Sequence, residues 1–116
     1  MNTQEAFNLI WERAKIKKKA VETLEKGNLV CKYRAANGLP CFIGAIITDE
    51  EYHEDLEGRS ISTLLREHMV DGIFNDIEEQ FLTSMQAIHD VYSAELWEME
   101  LRNRALRFGL IVPGEG

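Results

Sequence analysis

The residues of this chain that could do chemistry are two cysteines, a histidine–aspartate pair and a run of carboxylates. Cys31 and Cys41 sit in CKYRAANGLPCFIGAII, ahead of an acidic stretch containing Asp49, Glu50, Glu51, Glu54, Asp55 and Glu57. His89 and Asp90 come later, in a segment of helical pattern. Nucleophilic catalysis by cysteine needs a thiolate beside a base that a third group orients. Cys41, His89 and Asp90 supply those residue types and are the catalytic candidates. Neighbours on a helix diverge by about 100°, so Asp90 is not expected to orient the ring beside it, and Asp49 or Glu57 would have to do so. In the competing reading Cys41 is a small buried hydrophobe. His89 is then the polar flank of its helix, and Asp90 is solvated or holds a loop amide.

Metal binding draws little support. The nine residues between Cys31 and Cys41 exceed the step of a zinc knuckle, although His53, His68 or His89 could complete a site. No metal and no cofactor is expected. A disulfide requires Cβ atoms within about 4.5 Å. A two-residue Asn37-Gly38 loop would pair Ala36 with Leu39 and set Cys31 opposite Gly44, so the sulfurs should not face each other.

Carboxylates do acid–base or Mg²⁺ chemistry only where particular ones converge in a cleft, and a run alone does not supply that. Arg34 beside the acidic stretch suggests instead an arginine–carboxylate fork to Asp49 or Glu57 that ties the loop down. Cys31, Tyr33, Arg34, Asp49, Tyr52 and Glu57 form the expected binding or structural cluster. The chain has no P-loop, no dinucleotide-binding glycine pattern, no GxSxG and no HExxH.

These residues need a frame to hold them. A chain of 116 residues, 45% of them hydrophobic, suits one domain with one core. Twenty acidic against 13 basic residues leave a net charge of −7, which argues against direct nucleic-acid binding. The basic run Lys15–Lys19 reads as a solvated helix face. No apolar run reaches the roughly 20 residues of a membrane span, and the N-terminus lacks a signal-peptide profile. A cytoplasmic protein with no membrane contact is expected, its cysteines reduced.

Asn2 and Glu5 read as a capping box opening a helix over 3–26, with Gly27 closing it and Lys17-Lys18 interrupting its apolar stripe. Leu29 to Arg34 alternates, and Asn37-Gly38 is a turn signal, so a short hairpin should return through Leu39–Phe42, limited by Pro40. CFIGAII reads as a buried strand passing into a helical turn that Thr48 follows with a cap. Ser60 or Ser62 should cap a helix through Met69. Phe74, Ile77, Phe81, Met85, Ile88 and Tyr92 mark the best-patterned helix. Trp97, Leu101, Ala105 and Phe108 mark the last, closed by Gly109. The expected fold is therefore α+β and mostly helical, a single domain over 1–116. About four helices pack around a short β-hairpin, with the N-terminal helix at 3–26, the hairpin and acidic loop at 28–59 and the C-terminal helices at 60–109.

The middle of the chain resembles a group of small uncharacterised bacterial, prophage and phage proteins. Their pattern is C-x-Y-R, a glycine turn, C-x-[IV]-G-x-[LI]-[IL], D-x-x-Y, E-G, then H-D on a helix and a later W. The matching positions are Cys31, Tyr33, Arg34, Gly38, Cys41, Ile43, Gly44, Ile46, Ile47, Asp49, Tyr52, Glu57, Gly58, His89, Asp90 and Trp97. Phe42 stands where that pattern has a small residue and Thr48 where it has proline. The resemblance implies that the cysteines, His89 and Asp90 belong to one spatial unit, and it implies no reaction. With the net acidity, it points to an accessory protein that binds a host or phage protein without catalysis. The apolar stripes of the helices ending at Ser93 and Phe108 suggest a second copy of the chain as a further partner. The alternative is a cysteine-dependent enzyme or thiol sensor using Cys41 with His89.

Overall fold

The computed structural model describes residues 1–23, 29–70, 72 and 74–115, with the side chains of 22–31 outside that description. Four α-helices organise it: α1 (Thr3–Ala14), α2 (Ile61–Arg66), α3 (Glu79–Val91) and α4 (Trp97–Phe108). Two three-residue strands, β1 (Val21–Thr23) and β2 (Leu29–Cys31), pair antiparallel with Val21 opposite Cys31. Single 3₁₀ turns stand at Glu54–Leu56 and Ala94–Leu96.

The expected α+β fold, helices around a hairpin turning at Asn37-Gly38, is not what forms. The turn exists: Gly38 takes φ +86°, its amide donates to the Ala35 carbonyl at 3.0 Å, and Ala35 donates to Leu39 at 3.0 Å. Its arms do not pair as a ladder, and only an isolated bridge, Arg34 to Pro40, joins them. The register is one residue off the two-residue loop because the Asn37 side chain accepts the Leu39 amide at 3.0 Å, which lengthens the loop. Pro40 has no amide hydrogen with which to carry a ladder further. The helices bury one another, and the short β1–β2 ladder pairs the start of the expected first arm, Leu29–Cys31, with Val21–Thr23 upstream instead of with Leu39–Phe42.

The N-terminal helix is also shorter than 3–26. The capping box at Asn2 is present in both directions, at 2.8 and 3.0 Å. α1 nevertheless stops at Ala14, and the chain has become extended by Val21. The Arg13 side chain accounts for the stop. It folds forward and donates to the carbonyls of Ile16 (2.9 Å) and Lys18 (2.7 Å), which an uninterrupted helix would spend on amides further on. Gly27, expected as the closing cap, lies outside the described residues.

After Pro40, the apolar run CFIGAII is helical turn rather than strand. Ala45 donates to Cys41 at 2.9 Å and Ile46 to Ile43 at 3.0 Å, while Phe42, Ile43, Ile46 and Ile47 are buried. Gly44 has no substitute there, since a Cβ would stand 2.0 Å from the Tyr33 carbonyl oxygen. Thr48 closes a single turn through Glu51 and Tyr52. Ser60 caps α2 by accepting the Thr63 amide at 3.2 Å. Phe74 and Ile77 are buried but precede α3, and Gly109 ends α4 in the left-handed region at φ +68°.

The core follows from these stripes. α3 packs between α2 and α4, and α1 lies on α4. Phe81 meets Phe108 edge-on at 5.4 Å between centroids. Phe7, Ile10, Phe42, Leu64, Leu82, Met85, Ile88, Trp97 and Leu101 are fully buried, each contributing about 1.5–3 kcal/mol. No helix among the described residues is long and apolar enough to cross a membrane.

Candidate functional site

The last turns of α3 carry Gln86, His89 and Asp90 to the foot of the Pro40–Ile47 segment, and α4 delivers Trp97 beside them. The His89 ring is wholly buried. It stacks on Trp97 at 5.4 Å and 22°, with Phe42 edge-on at 5.3 Å. Its Nε2 accepts the Ala20 amide at 3.1 Å, which requires that nitrogen to carry no proton. Nδ1–H then donates to Asp90 Oδ1 at 2.9 Å. His89 is a neutral imidazole: Nε2 ties Ala20, just before β1, to the end of α3, and Nδ1 is held by Asp90 of the same helix.

Asp90 does orient the ring beside it, against the expectation from helical divergence. That divergence governs Cβ directions, whereas Nδ1 lies on the ring edge nearest the backbone and within reach of a neighbour's short carboxylate. Gln86, one turn back, steadies the same oxygen through Nε2 at 2.9 Å.

Cys41 is 1% exposed and is a free thiol. Burial pushes its pKa up to about 12, although amides of Gly44 and Ile43 and the Gln86 side chain favour the thiolate. The Gly44 amide reaches Sγ at 3.3 Å. A catalytic Cys41–His89–Asp90 relay needs an ionisable thiol and a base with a free lone pair. Here the thiol is held protonated, and the lone pair of His89 belongs to Ala20.

Arg13 completes this cluster, and sequence reasoning missed it. The residue is 6% exposed, and its guanidinium stands 5.7 Å over the Trp97 ring and donates to carbonyls of Pro40, Ile16 and Lys18. Burial lowers its pKa, opposed by the charge of a Cys41 thiolate. The available signal was a cation in the last turn of α1, just before the break in the apolar stripe. The Trp97 indole nitrogen and Gln86 Oε1 are buried without hydrogen-bond partners.

The second cluster centres on Glu57. Its carboxylate accepts the amides of Tyr33 (2.9 Å) and Arg34 (3.0 Å) and the Tyr52 hydroxyl (2.8 Å). The Arg34 side chain turns away from Glu57, pairs with Asp49 at 2.7 Å, donates to the Ile47 carbonyl at 3.2 Å and lies 4.5 Å over the Tyr52 ring. Tyr33, Arg34, Asp49, Tyr52 and Glu57 thus come together, while the side chain of Cys31 lies outside the described residues. Asp49 is 93% exposed, so its ion pair is worth about 0–1 kcal/mol, and the part-buried bonds of Glu57 to backbone amides carry the clamp. Desolvation first, then the Glu57 hydrogen bond, raises the Tyr52 phenol to about 12. Burial, followed by the Cys41 and Glu57 charges, raises Tyr33 further, and its hydroxyl donates to the Arg59 carbonyl at 2.6 Å.

An open groove of about 620 Å³ joins the clusters. Tyr33, Cys41, Glu57, Arg59, Gln86 and Asp90 contribute to its walls, and Val91 stands 74% exposed at its edge. No group of three or more His, Cys, Asp or Glu side chains among the described residues is arranged to hold a metal ion. His53 is exposed ahead of the Glu54–Leu56 turn, and His68 sits in a left-handed residue after α2. Comparison of the chain with protein-family models, curated proteins and solved structures gave no match.

Proposed function

We propose that the chain is a small accessory protein of phage or prophage type that acts by binding a host or phage protein, without catalysis. One observation carries the reading: the residues with chemical potential are consumed by the fold. The Cys41 thiol is sealed and protonated, and both His89 nitrogens are occupied. One outward patch is acidic. Glu50, Glu54 and Asp55 stand exposed on the turn that Glu57 and Arg34 brace, on a chain of net charge −7. A rigid acidic turn suits a basic protein surface, and complementary charge speeds such encounters.

The test is capture from host extract with the wild-type chain and a Glu50→Lys, Glu54→Lys, Asp55→Lys triple variant, at low and high salt. A specific partner that the variant loses, and that salt weakens, supports the reading. Partners held equally by both proteins would contradict it.

A further inference from the structure

Helix α4 has apolar residues on two sides. Trp97, Leu101 and Ala105 are spent on the core. On the other side Leu96, Met99 and Leu106 are 41%, 51% and 83% exposed. Positions 99 and 106 are two turns apart, and 96 is one turn before 99, so the three share a face. Beyond Gly109 the chain turns so that Ile111, 61% exposed, joins Leu106 along a groove of about 400 Å³. This face therefore holds both a ridge and a recess.

Charge is sorted along the same element. Glu95, Glu98 and Glu100 lie in the first half, and Arg102, Arg104 and Arg107 in the second. The helix dipole favours that order on its own. Within the chain Glu98 pairs with Lys17 at 3.8 Å, Glu100 with Arg104 at 3.3 Å and Arg102 with Glu115 at 2.7 Å, so Glu95 and Arg107, exposed near opposite ends of the face, are the charges that meet their counterparts on a copy running the opposite way.

We propose that this face is a homodimer interface, with α4 packed antiparallel on α4 of a second copy about a two-fold axis between Met99 and Asn103. At that register Leu96 of the second copy falls level with Leu106 and enters the groove beside Ile111. Glu95 of each copy lies level with Arg107 of the other. The contact is isologous, so every pair occurs twice. Asn103, exposed in the seam, is the kind of polar residue that fixes register. A helix of this length spans only about 18 Å, short of a standard interface by itself, and like net charge opposes the encounter. The dimer is therefore weak. It is independent of the protein that the acidic turn binds.

The test is sedimentation equilibrium on the full chain from about 1 to 200 μM, a range in which a weak specific association registers. The expected mass climbs from 13.3 kDa toward twice that value. Leu106→Glu and Met99→Glu, at exposed positions and with unchanged melting, hold the chain monomeric, whereas Val91→Glu does not. Glu95→Arg or Arg107→Glu alone weakens association about tenfold, and the double variant restores it. Reversing Glu50, Glu54 and Asp55 leaves it intact, which separates this interface from the partner surface. A monomer throughout the range, a dimer indifferent to Leu106→Glu, or a double variant no better than the singles overturns the proposal.

Discussion

Replacing Glu57 with alanine should remove the brace that holds the Tyr33–Arg34 backbone to the acidic turn. Three hydrogen bonds end on this carboxylate, two from amides and one from the Tyr52 hydroxyl. Hydrogen bonds to a charged group contribute about 1.5–3 kcal/mol each, and stranded part-buried amides cost about 1–3 kcal/mol. Water reaches some of the vacated site, so the net loss should be about 2–4 kcal/mol, a large share of the 5–15 kcal/mol typical of a domain. Glu57→Gln keeps the shape but offers one amide an NH₂ instead of an oxygen, and should lose about 1–2 kcal/mol. Tyr52→Phe should cost about 0.5–1.5 kcal/mol alone and much less in the Glu57→Ala background. Urea unfolding followed by tryptophan fluorescence reads all three. A Glu57→Ala loss below about 0.5 kcal/mol, or full additivity with Tyr52→Phe, would refute the clamp.

Other perturbations probe the remaining contacts. Gly44→Ala places a methyl 2.0 Å from the Tyr33 carbonyl, backbone that cannot step aside cheaply, and should destabilise by at least about 2 kcal/mol in the same assay. Arg13→Met fills similar volume but abandons three carbonyls, and should cost about 2–4 kcal/mol, with Arg13→Lys recovering only part. Tyr52 and Cys41 both titrate near pH 12 when folded, above their unfolded values of about 10 and 8.5, so the native state retains protons that the unfolded chain gives up. Stability from these two groups is whole below pH 8 and declines as pH rises toward 12, which urea midpoints between pH 7 and 10.5 should trace.

The helices were largely legible in the sequence because their signals are local. The Asn2–Glu5 box, Ser60, the Phe81-to-Ile88 stripe and Gly109 each act within a turn or two, and each is in place. The Arg34–Asp49 ion pair was readable from charge and proximity, though it is a single contact and not the expected fork, and Glu57 chose backbone amides over the guanidinium, which no side-chain pattern announces. The hairpin failed because its turn chemistry was sound while its arms had better uses. Tyr33 and Arg34 give their amides to Glu57, and the run after Pro40 buries more apolar surface as helical turns. α1 was overextended because the Lys17-Lys18 break was read as an interruption within one helix, when Arg13 holds the carbonyls of Ile16 and Lys18 and the helix ends before them. The His89–Asp90 contact was dismissed on Cβ geometry that does not bind the nearer ring nitrogen. Some of the overriding contacts are tertiary, such as Glu57 on the Tyr33 and Arg34 amides, and others, such as Asp90 on His89 and Asn37 on Leu39, are short-range bonds that an apolar pattern does not register.

The claim beneath this account is that residue 41 is sealed and protonated while His89 is committed to the Ala20 amide. Site-resolved alkylation of Cys41 in the folded chain, read by peptide mass against pH, tests it most directly. A pKa near 12 leaves about one thiol in ten thousand ionised at pH 8, roughly a thousandfold fewer than an ordinary cysteine, before burial slows access further. The account predicts no modification at pH 6–8 until urea unfolds the protein. Rapid labelling at pH 6 that disappears in His89→Ala would contradict it and reinstate a thiol chemistry.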